Sequence, residues 1–338
     1  MTKPLEFPDD YYVHDKAHMK DVMDSFSKYV KDGWRLGESI TVEGAVTRVM
    51  LCGMGGSAIA GDLVASYLSD KKIQIEVSRD YDIPKSCDEN TLFFCCSYSG
   101  NTEETISAYR QAARVGKRIV VMTSGGRLEE LSKVNRHQTI MLPKGLQPRA
   151  AVHLQFFAML RVLQTAGVVK EQEKEIERLI GHIDIPTLSK NAISLSEKLV
   201  DKVPIIYASQ RYLPMAYRFK TQLNENAKVM AYASAIPEMC HNELVGYTRQ
   251  RESFVAIIFK TDDDHRRTMK RMDLVKGIIR KAGVEAIEIS IRGAPLNKIF
   301  SAVLIGDYIS YYLALRYKID PSPVVLIEKF KKDMGPFI

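Results

Sequence analysis

Small hydroxyl side chains cluster in one short stretch, SYSGNTEET, which follows an apolar run and leads into helix-forming sequence. Ser97, Ser99 and Thr102 can present three hydroxyl donors, and a helix start adds free backbone N–H groups and the positive end of the helix dipole. The stretch contains no lysine or arginine, so it would bind an anion through dipoles. A helix cap is the alternative, but one cap explains only one hydroxyl. We therefore predict a phosphate cradle at this position.

A second candidate turn, GMGGSAIAGD, also follows an apolar, strand-like run. Gly55 and Gly56 would let backbone N–H groups approach an anion closely, and Ser57 adds a hydroxyl. The spacing fits neither the dinucleotide pattern G-x-G-x-x-G nor a P-loop. A tight turn from strand to helix needs glycine in any case, so this motif alone leaves both interpretations open.

A carboxylate and a histidine in the second half of the chain could move protons. Glu225 lies in NENAK at a predicted helix end, where such a side chain is usually solvated. His241, in PEMCHNEL, has an ordinary pKa near 6.5 and could act as an acid at neutral pH, although a lone histidine is more often structural. The predicted strand between them, residues 227–234, would span roughly 25 Å. We therefore expect His241 to point away from the Glu225 of its own chain.

Two cations complete the set of candidate residues. Arg149 opens a predicted helix, where the helix dipole disfavours a positive charge, and that position favours a functional role. Lys331 lies in EKFKKDM beside Lys329 and Lys332. The alternative for these lysines is the solvated basic face of a helix.

The elements that must position these residues alternate along the chain. Short apolar runs alternate with amphipathic stretches, and the pattern restarts after a charged linker, which predicts two doubly wound α/β halves, each a parallel sheet flanked by helices. The predicted organisation is a helical segment (1–40, with one helix over 16–40), a first domain (41–170), a linker helix (171–195) and a second domain with a C-terminal helix (196–338). We expect Pro321 and Pro323 in the first turn of that last helix. Ligands bind beyond the carboxyl ends of such sheets, where we expect the two turns and Glu225.

Composition narrows the class of protein. The net charge is +7, but the 48 lysines and arginines are spread among 41 acids, so no basic stripe predicts a nucleic-acid partner. Five cysteines without regular spacing indicate reduced thiols in a cytoplasmic protein and no zinc site. The polar N-terminus predicts no signal peptide, and no uninterrupted apolar run reaches the ~18 residues that predict a membrane span. We expect no metal and no cofactor.

The order of these motifs carries a family resemblance. GMGGSAIAGD followed by SYSGNTEET resembles the sugar isomerase (SIS) domain. With PKGLQPRAAV, NENAK, HNE and DPSPVVLIEKFKKDM, nearly the whole chain resembles the bifunctional phosphoglucose/phosphomannose isomerases. That resemblance implies a metal-independent aldose–ketose isomerase that interconverts glucose 6-phosphate, and also mannose 6-phosphate, with fructose 6-phosphate through a cis-enediol.

The same resemblance implies a role for each candidate residue. Glu225 is the base at C2, Arg149 stabilises the enediolate, and Lys331 acts on the ring with His241, which the other subunit of a homodimer contributes. Glu243 could orient that histidine, by spacing alone. The expected substrate-binding residues are Gly55, Gly56, Ser57, Ser97, Ser99 and Thr102.

Two questions stay open at this point. Val324 stands where family members can carry a threonine linked to accepting both sugar phosphates, so the preference between glucose and mannose 6-phosphate is undecided. A sugar-phosphate-sensing SIS module that binds without turnover is the alternative function, but it has no need for Glu225, His241 and Lys331 together. A SIS aminotransferase or deaminase would need a glutaminase partner or a lysine placed to form an imine.

Overall fold

The computed structural model describes residues 7–249 and 253–337, so the first six residues of the predicted polar N-terminus lie outside the described residues. The chain divides into two compact units. The first unit is Ser25–Ile180, and the second unit joins the N-terminal segment up to Asp24 with Gly181–Pro336. Each unit contains one sheet of parallel strands with helices. The predicted α/β fold with two parallel sheets is confirmed.

The strands of the first unit are β1 (Arg48–Gly53), β2 (Gln74–Ser78), β3 (Thr91–Cys96), β4 (Ile119–Thr123) and β5 (Gln138–Met141). The strands of the second unit are β6 (Val203–Ser209), β7 (Tyr232–Ile236), β8 (Phe254–Thr261) and β9 (Glu285–Ile291). All strand pairings within each of the two sheets are parallel. Every residue of the central strand β3 is buried, because helices cover both faces of such a sheet.

The helices, in chain order, are α1 (Met19–Asp24), α2 (Phe26–Leu36), α3 (Gly55–Tyr67), α4 (Glu103–Val115), α5 (Gly126–Asn135), α6 (Val152–Thr165), α7 (Glu173–His182), α8 (Ile185–Glu197), α9 (Leu213–Glu225), α10 (Arg266–Lys281), α11 (Pro295–Arg316) and α12 (Val325–Asp333). By length and hydropathy α11 alone, among the described residues, could span a membrane, but 94% of its most apolar window is buried inside the protein. In this fold α11 is the core helix of the second unit.

The two sheets repeat one strand order. The first sheet runs β2-β1-β3-β4-β5 and the second β7-β6-β8-β9, so in each the first strand lies between the second and the third. The chain leaves such a central pair of strands in opposite directions, which opens a crevice at their carboxyl ends. The switch point lies between β1 and β3 in the first unit and between β6 and β8 in the second.

Several elements differ from the predicted ones. The linker helix expected over 171–195 is divided into α7 and α8, because the Asp184 side chain caps the start of α8. The single opening helix is divided into α1 and α2 at Ser25. The strand expected over 227–234 begins only at Tyr232, because Lys228 adopts a left-handed conformation with φ of 58° after α9 ends. Pro321 and Pro323 precede α12 rather than starting it, since a turn in which Asp320 accepts the N–H of Ser322 comes first and the helix begins only at Val325.

Candidate active site

The two glycine and hydroxyl turns begin side by side at the switch point of the first unit. Gly53, the last residue of β1, is paired with Cys96, the last residue of β3. A Cβ atom on Gly53 would lie only 2.9 Å from the carbonyl oxygen of Cys96, so no larger residue fits there. The turns therefore form the two sides of one crevice at the carboxyl edge of the sheet.

The hydroxyls after β3 bond to one another rather than to the helix that follows. The Oγ atom of Ser97 lies 2.9 Å from Oγ1 of Thr102 and accepts the N–H of Gly100 at 3.1 Å. Ser99 is exposed, and its Oγ accepts the N–H of Asn101 at 3.3 Å. Thr102 occupies the N-cap position of α4, yet within the described chain its side chain makes no capping hydrogen bond. The helix-cap interpretation therefore fails for Thr102.

Glycines hold the cradle turn tightly against the turn after β4. Gly100 has φ of 72°, a conformation that favours glycine, and a Cβ atom there would lie 1.7 Å from the carbonyl oxygen of Gly125. The hydroxyl of Thr123 also donates to that oxygen at 2.7 Å. Such close packing keeps the loop in one geometry, and a preformed site binds an anion at lower entropic cost.

Arg149 lies next to the first turn of α3. It belongs to a short 3-10 helix, Pro148–Ala151, that precedes α6, whereas the sequence predicted an α-helix opening at this point. A Cβ atom on Gly56 would lie 2.8 Å from the Cα of Arg149. The side chain of Ser57, 4% exposed, accepts a hydrogen bond from Gln155 on α6 at 3.2 Å. The first unit thus brings Arg149 and the glycine turn together.

Lys144 is a cation near the cradle that the sequence analysis missed. The hydroxyl of Tyr98 donates to the carbonyl of Pro143 at 2.6 Å and accepts the N–H of Leu146 at 2.9 Å. Burial raises the pKa of Tyr98, which keeps this hydroxyl protonated. Lys144 lies in the loop so held, with its Cε 3.9 Å from the position of a Cβ on Gly125. Lys144 lies in PKGLQPRAAV, but the motif does not mark this lysine, because only the tertiary structure brings the loop after β5 to this turn.

Glu225 is placed at the other end of its sheet from the expected one. It is the last residue of α9 and is half-buried. Because α9 starts just beyond the carboxyl end of β6 and runs back along the sheet for about 20 Å, Glu225 lies at the amino end. The expectation that it lies beyond the carboxyl edge is wrong. A helix that follows a parallel strand returns to the start of that strand, and its last residue goes with it.

His241 lies at the opposite end of the same sheet. It ends the 3-10 helix Glu238–His241, which follows the carboxyl end of β7, and it is exposed. The five residues of β7 separate the two ends by about 16 Å at ~3.3 Å per residue. Glu243 accepts hydrogen bonds from Tyr207, at 3.3 Å, and from Ser234. These partners, rather than His241, hold that carboxylate.

Lys228 ties the end of α9 to the chain that leads into α12. Its Nζ donates to the carbonyl oxygen of Glu225 at 2.6 Å and to that of Pro321 at 3.2 Å. Val324 then occupies the N-cap position of α12, the helix that carries Lys331. The second unit therefore links the Glu225 segment with the start of this helix.

The structure does not distinguish among the three lysines of α12. Lys329, Lys331 and Lys332 are all exposed. The same helix also exposes apolar side chains, with Leu326 81% and Phe330 64% accessible. The choice of Lys331 therefore stays a prediction.

In the described part of the chain, the cysteines and acids form no metal-binding group. Cys52, Cys95 and Cys96 are fully buried, and burial raises the pKa of the Cys96 thiol. Among the residues that the structure describes, no three or more histidine, cysteine, aspartate or glutamate side chains come together as metal ligands could.

Comparison with known proteins identifies both halves of the chain. Residues 45–165 match the SIS domain family, and residues 188–334 match the family described as bacterial phospho-glucose isomerase C-terminal SIS domain. A glucose-6-phosphate isomerase like protein from Thermus thermophilus shares the fold, with a TM-score of 0.61 and 16% identity over 96% of this chain and 98% of that one. The predicted pair of SIS domains is confirmed.

Full-length relatives define the family. A bifunctional phosphoglucose/phosphomannose isomerase from Caldicellulosiruptor bescii is 36% identical over 325 residues, which cover 90% of this chain and 96% of the relative. A D-glucosamine-6-phosphate 4-epimerase from Sulfolobus acidocaldarius is 32% identical over 249 residues, 72% of this chain and 78% of that protein. The chain belongs to the bifunctional phosphoglucose/phosphomannose isomerase family.

Proposed function

We propose that the protein is an aldose–ketose isomerase that interconverts glucose 6-phosphate and mannose 6-phosphate with fructose 6-phosphate. The observation that carries the proposal is the group of hydroxyls at the switch point of the first unit, in a chain that belongs to this family. The side chain of Thr102 does not cap the start of α4. Uncapped N–H groups and adjacent hydroxyls bind a phosphate monoester well. The enzyme needs no metal or cofactor, and we place it in the cytoplasm, where its reduced cysteines fit.

The proposed reaction moves one proton between neighbouring carbons. His241 protonates the ring oxygen of the sugar, with Lys331 assisting, and the chain form opens. Glu225 then takes the proton from C2 of the aldose, which leaves a cis-enediolate whose negative charge Arg149 stabilises, and returns it to C1. The hydroxyl proton moves in the same sense, from the C2 oxygen to the C1 oxygen, so the C2 oxygen becomes the ketone and no electrons leave the substrate.

The proposed active site is shared between two copies of the chain. Glu225 and His241 lie at opposite ends of one sheet within the second unit, about 16 Å apart along β7. One chain therefore cannot bring both side chains to the same substrate carbon and ring oxygen without large rearrangement of its sheet. In a two-fold dimer the contact surface is self-complementary, so a histidine that leaves one site can complete its twin. This separation supports a homodimer in which the partner supplies the histidine.

The proposal is tested by incubating the protein with fructose 6-phosphate and measuring both aldose products by coupled assays. We expect glucose 6-phosphate and mannose 6-phosphate to form, and their ratio settles the question left by Val324. Tight binding without turnover would instead support the sugar-phosphate sensor. Because the Sulfolobus relative is a D-glucosamine-6-phosphate 4-epimerase, glucosamine 6-phosphate is the second substrate to assay. Turnover of that compound alone would overturn the proposal.

Glu225→Gln tests the base directly. We expect kcat to fall by about 10²–10⁴, as general-base loss does, with KM for fructose 6-phosphate little changed. Glu197→Gln is the matched control, since Glu197 is also a glutamate that ends a helix, α8. With glucose 6-phosphate deuterated at C2 as the substrate, exchange of this deuterium with solvent should vanish in the first variant and persist in the second. Persistent exchange in Glu225→Gln would assign the proton transfer to another residue.

A further inference from the structure

A buried chain of polar side chains joins α9 to the core helix α11. Arg218 on α9 is 1% exposed and makes two hydrogen bonds to the carboxylate of Asp307 on α11, Nε to Oδ1 at 3.1 Å and Nη2 to Oδ2 at 2.9 Å. Asn226, the residue after α9 ends, is also 1% exposed and donates to the hydroxyl of Ser310 at 3.0 Å. Ser310 in turn donates to the carbonyl of Asp307 at 2.8 Å. The two helices are thus joined at two points along α9.

The backbone of α11 packs directly against a side chain of α9 beside this polar chain. A Cβ atom on Gly306 would lie 2.9 Å from the ring of Phe219, so glycine at that position allows α9 and α11 to approach closely. Asp307 follows Gly306 and meets Arg218, which precedes Phe219. The ion pair therefore lies directly beside this close contact.

Such a network contributes little net free energy to the stability of an interface. Burying an ion pair costs about as much desolvation as its attraction returns, and an apolar pair of similar volume often serves stability better. Polar networks that are well satisfied do, however, impose one geometry on the elements they join. The network of Arg218, Asp307, Ser310 and Asn226 is better explained by a need for geometry than by a need for stability.

This network fixes the position of the backbone next to Glu225. Asn226 is the next residue in the chain, so its hydrogen bond to Ser310 fixes the peptide that follows the glutamate. From the other side, the Nζ of Lys228 holds the carbonyl oxygen of Glu225 itself. A base must lie within a fraction of an ångström of its productive position. The peptide that joins Glu225 to Asn226 is therefore held by Lys228 at its carbonyl oxygen and by Ser310 through the Asn226 side chain.

We propose that Asn226 and Ser310 are positioning residues, which hold the end of α9 so that the Glu225 carboxylate reaches the substrate C2 proton. This inference rests on the proposed function of Glu225. The hydroxyl of Ser310, on α11, accepts the hydrogen bond from Asn226 and donates to the backbone carbonyl of Asp307 in the same helix. Neither Asn226 nor Ser310 contacts the sugar.

The test uses Ser310→Ala and Asn226→Ala, alone and combined. Because both remove the same hydrogen bond, we expect each to lower kcat by about tenfold to a hundredfold, with KM for fructose 6-phosphate within about twofold of wild type. The double variant should be no slower than the slower single variant, since the partners act as one unit. A role in stability alone would leave kcat unchanged in the folded enzyme.

Ser189→Ala is the matched control. Ser189 also bonds to α11 from inside the second unit, through the hydroxyl of Tyr312 at 2.6 Å, and is 9% exposed. Its removal should lower the melting temperature about as much as Ser310→Ala but leave kcat within twofold. If Ser310→Ala and Asn226→Ala match this control in kcat, the positioning inference is wrong. If Glu225→Gln also retains activity, the proposed base is wrong as well, so the two failures are distinguishable.

Discussion

Thr102→Val separates a phosphate cradle from a helix cap. The substitution replaces a hydroxyl with a methyl group of nearly equal size, so packing around this half-buried side chain changes little. Within the described structure the Thr102 side chain does not cap α4, and its hydroxyl lies 2.9 Å from that of Ser97. Loss of the hydroxyl should therefore weaken phosphate binding and leave the stability of α4 unchanged.

The expected magnitudes follow from that geometry. A hydrogen bond to a charged group contributes roughly 1.5–3 kcal/mol, which corresponds to a rise in KM for fructose 6-phosphate of about 10- to 150-fold at ~1.4 kcal/mol per factor of ten. Since substrate and transition state carry the same phosphate, kcat should stay near its wild-type value. A cap, by contrast, would contribute about 0.5–2 kcal/mol to the free energy of unfolding. Each kcal/mol lost would lower the melting temperature by about 2–4 °C.

The assay combines steady-state kinetics with thermal unfolding in the presence and absence of inorganic phosphate. Thr139→Val is the control, since Thr139 is a half-buried threonine of the same unit, and its hydroxyl donates to Ser132 at 2.9 Å. We expect phosphate to stabilise wild type and the control but not Thr102→Val. A lower melting temperature with an unchanged KM in Thr102→Val would refute the cradle and restore the cap.

Four further outcomes are expected. Lys144→Gln should raise KM for fructose 6-phosphate severalfold and weaken the dependence of KM on ionic strength, whereas a variant with the KM of wild type at both low and high salt would exclude a role for this charge. Subunits carrying Glu225→Gln, mixed and re-associated with subunits carrying His241→Ala, should recover about a quarter of wild-type activity, because half of the dimers contain one intact site; background activity after verified exchange would place both residues in one chain. Dialysis against EDTA should leave activity intact, and a loss that zinc reverses would contradict the metal-free mechanism. The hydrogen bond from Lys202 lowers the pKa of Glu285 from its ordinary value of 4.5, so this carboxylate stabilises the fold above pH 4.5. The difference in melting temperature between wild type and Glu285→Gln should therefore disappear as the pH falls through the lowered pKa.

Local chemistry made the fold and the two turns at the sheet edge predictable from sequence. Apolar runs such as β1 and β3 can only be buried strands, and the glycines and hydroxyls after them have few roles besides a turn at a sheet edge. The positions of element ends were less predictable. Lys228 in a left-handed conformation delays β7, and the turn at Asp320 delays α12, because hydrogen bonds outside the element decide such ends.

The sequence by itself determined two parallel sheets, the carboxyl-edge turns and the residue types to which we assign the binding and isomerisation of a sugar phosphate, since each depends on neighbours within about a dozen positions. Tertiary structure alone decided which end of the sheet Glu225 occupies, that Lys144 approaches the cradle turn, and that Asn226 meets Ser310 although 84 positions separate them. The physical reason is that a side chain's neighbours across an interface follow from how helices return along the sheet and how closely they pack. Gly306 shows this dependence: in the sequence it is an isolated glycine in a helix, and in the fold it is the point where α9 and α11 touch.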